Sequence, residues 1–228
     1  MNFTGANGIW QMGYAFGSYP DAHKIGTAPW FCCVLICAAI AYLLGSINCG
    51  VLLSKIYGTD VRKLGSGNAG TTNMVRNFGK KAGIFTFLGD FLKASIALFA
   101  CRLVFGVEGA FIGGIFCILG HAFPIFFGFK GGKGVVCVAV MGLFTSPLVL
   151  IIEVGIFAII FFGFKMVSFA SVMSMVIYPF IEFQVDGAGP WVIYSLIAAA
   201  LVIFLHRKNI VRIFNHTESK VSFGKKKR

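Results

Sequence analysis

Two short segments hold most of this chain's candidate chemistry. Residues 65–76 read Gly-Ser-Gly-Asn-Ala-Gly-Thr-Thr-Asn-Met-Val-Arg, and residues 130–134 read Lys-Gly-Gly-Lys-Gly. Glycine lets backbone N–H groups come close to a ligand. Successive N–H groups beside lysine and arginine make a cradle for an anion, typically a phosphate. A helix beginning within 69–78 puts Thr72 and Arg76 on one face at i, i+4 spacing. Ser66 and Asn68 then sit just ahead of its positive end, a setting that suits a phosphoryl group. The same residues also make a capped helix after a glycine turn, with Arg76 answering lipid headgroups. The second segment fails the P-loop pattern, because position 127 is Phe and position 134 is Gly. The magnesium-binding hydroxyl is therefore missing, and ATP use is not supported. Lys133, flanked by Gly132 and Gly134, remains a point charge for phosphate, or else part of a basic connector.

Other polar residues are scattered through apolar sequence. Ser168 and Ser171 lie three apart; serines in membrane helices ordinarily pack or bond across helices. His206 and Asn209 fall in an interfacial basic cluster, His-Arg-Lys-Asn. Asp90 and Lys93 can meet on one helix face, and an intramembrane ion pair points to function as readily as to structure. Glu153 is the other intramembrane acid, and the sequence gives no account of it. None of the four His residues has Asp at the His-x4-Asp spacing, and no Gly-x-Ser-x-Gly elbow is present. Acyl transfer here needs an activated donor, since no side-chain dyad makes the nucleophile. No ligand cluster calls for a metal, and no cofactor is expected.

The elements that position these residues must be membrane helices. The chain of 228 residues is 57% hydrophobic and only 12% charged, against about 25% charged in soluble domains. Seven apolar segments are expected, at 30–54, 82–104, 109–128, 134–146, 147–164, 167–183 and 190–206. Several fall short of the ~20 residues of a full span, notably the fourth. With the N-terminus outside and the C-terminus inside, 17 of the 20 Lys and Arg residues fall on the inner side. The outer side receives Glu108, the Ser146-Pro147 turn and the Glu182–Pro190 loop, without a basic residue. This satisfies the positive-inside rule and turns both glycine-rich loops to the cytoplasm; a five-span count is the alternative. The net charge of +12 is spent at segment ends, which argues against a nucleic-acid partner. Residues 1–29 read as an extramembrane extension, 30–206 as the membrane domain, and 207–228 as a basic cytoplasmic segment near anionic lipid. The seven cysteines read as small buried hydrophobes, with neither a disulfide framework nor a zinc site.

From Leu44 to Glu218 the chain resembles the bacterial acyl-phosphate:glycerol-3-phosphate acyltransferases, the PlsY family. The carriers are Gly45-Ser46-Ile47, Asp60-Val61-Arg62, the run from Gly65 to Asn73 with Arg76, Asp90-Phe91-Leu92-Lys93, His121-Ala122-Phe123-Pro124, Phe129 to Val135, Ser168-Phe169-Ala170-Ser171 and His206 to Ile210. The resemblance implies an all-α integral membrane enzyme of seven transmembrane helices in the bacterial inner membrane. Three motifs converge at its cytoplasmic face. It implies transfer of a fatty acyl group from acyl phosphate to glycerol-3-phosphate, giving lysophosphatidic acid and phosphate. By position, Ser66, Arg76 and Lys133 are the catalytic, phosphate-holding residues. Asn68, Thr72 and Asn73 shape the first cradle, Gly132 and Gly134 the second, and Ser168, Ser171, His206 and Asn209 complete the pocket. The chain departs from the family pattern at Thr71, Ala94, Val136-Cys137 and His216. The competing function for the same cradle is anion or phosphate transport, against which stands the lack of an internal repeat.

Overall fold

A computed structural model describes residues 27–221, and no strand occurs among them. Eight helices follow in order: α1 (Thr27–Gly45), α2 (Cys49–Ile56), α3 (Thr71–Ala122), α4 (Val135–Thr145), α5 (Pro147–Phe164), α6 (Val167–Asp186), α7 (Pro190–Leu205) and α8 (Arg207–Phe214). Most of the N-terminal extension, residues 1–26, and the basic run Lys225–Arg228 lie outside the described residues. Four helical stretches are long and apolar enough to cross a membrane: Ala28–Ile56, Thr71–Phe127, Pro147–Phe164 and Val167–Asp186. A fifth is counted if Pro190–Leu205 and Arg207–Phe214, bent by 61° at their junction, form one span.

The segment drawn at 30–54 is two helices. Asn48 starts the second, its side chain accepting a hydrogen bond from the Val51 amide at 3.1 Å. A side-chain cap of this kind favours a fresh start over continuation of α1. α3 joins the helix expected near 69–78 to the second and third segments, but it is not straight. Backbone breaks at Gly79 and at Phe105–Gly106 divide it into arms 71–78, 80–104 and 107–122. Lys93 Nζ lies 2.9 Å from His121 Nδ1, although 28 residues of straight helix would separate them by about 42 Å. The two long arms therefore form a hairpin that turns at Gly106. Similarly, a Cβ on Gly83 would stand 2.1 Å from Val75 Cγ2, so the first short arm folds back on the second.

α3 packs against α1, α2, α4 and α7, while α5, α6 and α7 pack in succession. Small residues make the α1–α3 contact close: a Cβ on Gly45 would meet Cys117 O at 2.6 Å, and one on Gly120 would meet Tyr42 O at 2.3 Å. Without a hydrophobic force between helices in lipid, such close packing holds them together. Cys37, Cys101, Cys117 and Cys137 are buried in this core; Cys32, expected to be buried, is exposed on the outer surface of α1.

Pro147 and Pro190 open α5 and α7, where a missing N–H costs nothing. α6 runs to Asp186 and stops at Gly187. This overturns the assignment of Glu182 to an outer loop: it is a fully buried helical residue. The acids Glu182 and Asp186 do not end the helix, which continues until a glycine with φ +77° terminates it.

Candidate functional site

The first glycine-rich loop is organised by Asn73, which is itself buried. Its Oδ1 accepts from the Ser66 amide at 3.1 Å and from Asn77 Nδ2 at 3.0 Å. Its Nδ2 lies 3.2, 3.0 and 2.9 Å from the carbonyls of Val61, Leu64 and Asn68. One amide thus satisfies a turn that has left secondary structure, and Gly65 and Gly67 take its positive φ angles, +53° and +71°. Gly70 caps α3 without a side-chain bond, so the serine and asparagine ahead of it are not used as helix caps. Arg62 ties this loop to the second. It pairs with Asp60 at 2.7 Å and donates through Nη1 to Phe127 O at 2.6 Å and Lys130 O at 3.0 Å.

The second loop folds back on the end of α3. Gly131 N donates to Ala122 O and Gly132 N to His121 O, both at 3.0 Å. A Cβ on Gly132 would stand 2.0 Å from His121 Nε2. His121 is held in turn beside Lys93, which pairs with Asp90 at 2.9 Å and donates to Ile47 O at 2.6 Å. The i, i+3 pair expected from sequence thus exists, and it forms the floor of the second loop. Gly134, with φ +78°, begins α4.

The third group comes from α6, α8 and the chain beyond. Glu218 accepts from Ser168 Oγ at 2.8 Å, Asn209 Nδ2 at 2.9 Å and Arg212 Nε at 2.7 Å. The Lys133 amine donates to Asn209 Oδ1. Ser171 Oγ bonds back to Val167 O at 2.9 Å, and His206 Nδ1 lies 2.8 Å from Val202 O. Burial pushes the Lys133 amine down to about 8; Glu218 opposes that fall, and the Arg212 and Arg76 guanidiniums add to it. Burial pushes the Glu218 carboxyl up, but bonds from Arg212, Ser168 and Asn209 outweigh it and hold the group below the usual carboxylate range.

These three groups enclose a cavity of about 670 Å³. Ser66, Asn68, Thr72, Asn73, Arg76, Lys133, Gly134, Ser168, Ser171, His206 and Asn209 all line it. Gly132 does not; it packs on His121 instead. Arg76 and Lys133, 57 positions apart in the chain, thus face one space. Valines and other apolar side chains of α4 and α5 form the rest of the wall, with Val136 among them, while Cys137 faces the core. Glu218 and Arg212 also line the cavity and were not singled out from sequence. The available signal was that Glu218 is the sole carboxylate in the basic segment after residue 206. Among the described residues no group of three or more His, Cys, Asp or Glu is placed to hold a metal. Cations, hydroxyls and amides at one end and an apolar wall beyond suit a molecule with a phosphate head and a hydrocarbon tail.

The chain is similar to known proteins over most of its length. The sequence profile of the family described as glycerol-3-phosphate acyltransferase matches residues 35–216. A glycerol-3-phosphate acyltransferase of Streptococcus thermophilus (strain CNRZ 1066) is 43% identical over 204 residues, covering 84% of this chain and 94% of the relative. The crystal structure of PlsY (YgiH), an integral membrane glycerol 3-phosphate acyltransferase, in its glycerol 3-phosphate form superposes with a TM-score of 0.78. It is 35% identical and covers 83% of this chain and 96% of that one. The lysophosphatidic acid form gives 0.76 at 34% identity, with 83% and 95% covered.

Proposed function

The chain belongs to the glycerol-3-phosphate acyltransferase family, and from that premise we propose that it moves a fatty acyl group from acyl phosphate to the first hydroxyl of glycerol-3-phosphate. The products are lysophosphatidic acid and inorganic phosphate. The acceptor and product forms of PlsY support this reading over anion transport. The observation that carries it is one cavity in which Arg76 and Lys133 face a shared space continuous with an apolar wall.

The chemistry needs little from the side chains. Acyl phosphate is a mixed anhydride with a good leaving group. The acceptor oxygen bonds to the acyl carbon, the bond from that carbon to the phosphate oxygen breaks, and the departing phosphate takes the hydroxyl proton. Lys133, Arg76 and Ser66 hold the phosphate groups. Asn68, Thr72 and Asn73 set the first loop, and Gly134 sets the second. Ser168, Ser171, His206 and Asn209 close the polar end. Catalysis is then mostly positioning and electrostatic stabilisation.

The enzyme sits in the bacterial cytoplasmic membrane, with membrane lipids around it and the site facing the cytoplasm. Seven crossings are made by α1, the two long arms of α3, α4, α5, α6 and α7, with the N-terminus outside. The hairpin in α3 and the charge distribution support this count. The deciding experiment uses purified protein in detergent. Phosphate should be released from palmitoyl phosphate only when glycerol-3-phosphate is present, and acyl-CoA or acyl carrier protein should not replace the donor. Donor hydrolysis without acceptor, or equal use of acyl-CoA, would contradict the assignment.

A further inference from the structure

The apolar part of the cavity contains polar atoms that the reaction above does not use. Ser174 and Tyr178 of α6 line it, continuing at spacings of three and four a row begun by Ser168 and Ser171 at the phosphate end. The row forms a stripe running about 15 Å away from the phosphate end at 1.5 Å per residue. Glu153 lines the cavity from α5, opposite Tyr178 across the α5–α6 hairpin. Glu153, Ser174 and Tyr178 are 8%, 3% and 1% exposed. Glu153 Oε1 and Ser174 Oγ have no hydrogen-bond partner among the described residues, and the Tyr178 hydroxyl has the Glu182 carboxylate beside it, one turn on.

Buried polar atoms are normally paired, and leaving them unpaired is costly. Tyr178 and Glu182, one turn apart, can serve each other after a small side-chain rotation. Ser174 does not make the back-bond that Ser171 makes to Val167 O. Glu153 sits amid Val149, Leu150, Val154 and Phe157 of its own helix, none of which offers a side-chain donor. An acid held in this way within a spanning helix is a functional group by default. A saturated chain drawn past it would exclude water and leave the Glu153 and Ser174 atoms unsatisfied. A hydroxyl would donate to Glu153 and accept from Tyr178 or Ser174. A carboxylate on the chain would instead bring an unpaired charge into an apolar wall.

We propose that Glu153, Ser174 and Tyr178 form a hydrogen-bonding subsite that selects acyl donors carrying a hydroxyl partway along the chain. This rests on the reading above that the cavity receives the acyl donor. The test compares palmitoyl phosphate with positional isomers of hydroxypalmitoyl phosphate, with glycerol-3-phosphate present, by phosphate release from the purified full-length enzyme. At least one isomer should exceed palmitoyl phosphate in kcat/KM by about tenfold, since a site built to bond a hydroxyl discriminates against its absence. In the double variant Glu153→Met, Tyr178→Phe that ratio should fall to about one, through better use of palmitoyl phosphate and poorer use of the isomer. Glu153→Gln should keep part of it. Turnover of palmitoyl phosphate with no isomer preferred overturns the subsite and leaves the reaction standing; persistence of the preference in the double variant also overturns the subsite. Failure to use any acyl phosphate overturns the reaction and the subsite with it. The wild-type comparison needs no variant, so a misfolded protein cannot blunt it.

Discussion

In the proposed reaction Lys133 is the side chain whose charge matters most. It shares the cavity with Arg76 and Arg212, and Glu218 is the carboxylate that offsets them. With its amine pushed down to about 8, it is cationic below that pH and neutral above it. Phosphate binding needs the cation, so kcat/KM for glycerol-3-phosphate should fall as pH rises through about 8. A profile of kcat/KM against pH reports this group in the free enzyme. Lys133→Ala should lower kcat/KM by roughly 10²–10³-fold without changing the melting temperature. Lys133→Arg should keep some activity and lose the alkaline fall, because arginine stays charged; an unchanged alkaline limb in that variant would assign the titration to another group. Glu218→Gln supplies a further test. Its charge holds the Lys133 amine up, so the variant's alkaline limb should move to lower pH. It also takes an acceptor from Ser168, Asn209 and Arg212, which should cost about 1–3 kcal/mol of stability by thermal unfolding. A limb that stayed in place would mean that Glu218 does not act on Lys133.

Helices deliver these residues, and their turns are set by glycines that act in different ways. A Cβ on Gly106 would meet nothing within 4 Å, so any cost of Gly106→Ala is conformational. At φ +60° and ψ −147° that cost is about 1–3 kcal/mol. Gly106 does not line the cavity, so the variant should melt lower in detergent while KM for glycerol-3-phosphate stays the same. Gly132 is the reverse case: its backbone is ordinary, and His121 occupies the space where a Cβ would go. The sequence readily revealed both loops, because glycine, asparagine and cations are conspicuous in apolar sequence. It also revealed the Asp90–Lys93 pair, since i, i+3 geometry is local. The seam between α1 and α2 was not legible, because Gly45 to Asn48 lies within an apolar run and only the Asn48 cap marks the restart. The burial of Glu182 was missed because a carboxylate near a segment end reads as a boundary. Glu218 was reachable only by asking why one acid sits among so many bases.

Across the whole molecule, charge and hydropathy should agree on orientation. The α3 hairpin brings both glycine-rich loops to the same end as Ser168, Asn209 and Glu218. The turn at Gly106 stands at the other end, where Tyr194 OH donates to Glu108 at 2.8 Å. The polar end carries Lys55, Lys63, Lys80, Lys81, Lys130, Lys165 and Lys208 in its loops and flanks, whereas the loop that follows Asp186 has no cation. By the positive-inside rule the cation-rich end should be cytoplasmic. α7 then makes one crossing between that loop and α8; its 16 residues span about 24 Å, short of the ~30 Å hydrocarbon core. α8, bent away by 61° with Val211 and Phe214 exposed, would then lie along the inner surface, with Arg207, Lys208 and Arg212 near anionic headgroups. Green fluorescent protein fused after Arg228 should therefore fluoresce, since it folds only on the cytoplasmic side. Alkaline phosphatase fused after Asp186 should be active, since it matures only outside. If the two fusions report the same side, α7 does not cross. If both report the reverse, the phosphate end faces away from the cytoplasm, and a cytoplasmic supply of glycerol-3-phosphate could not reach Lys133.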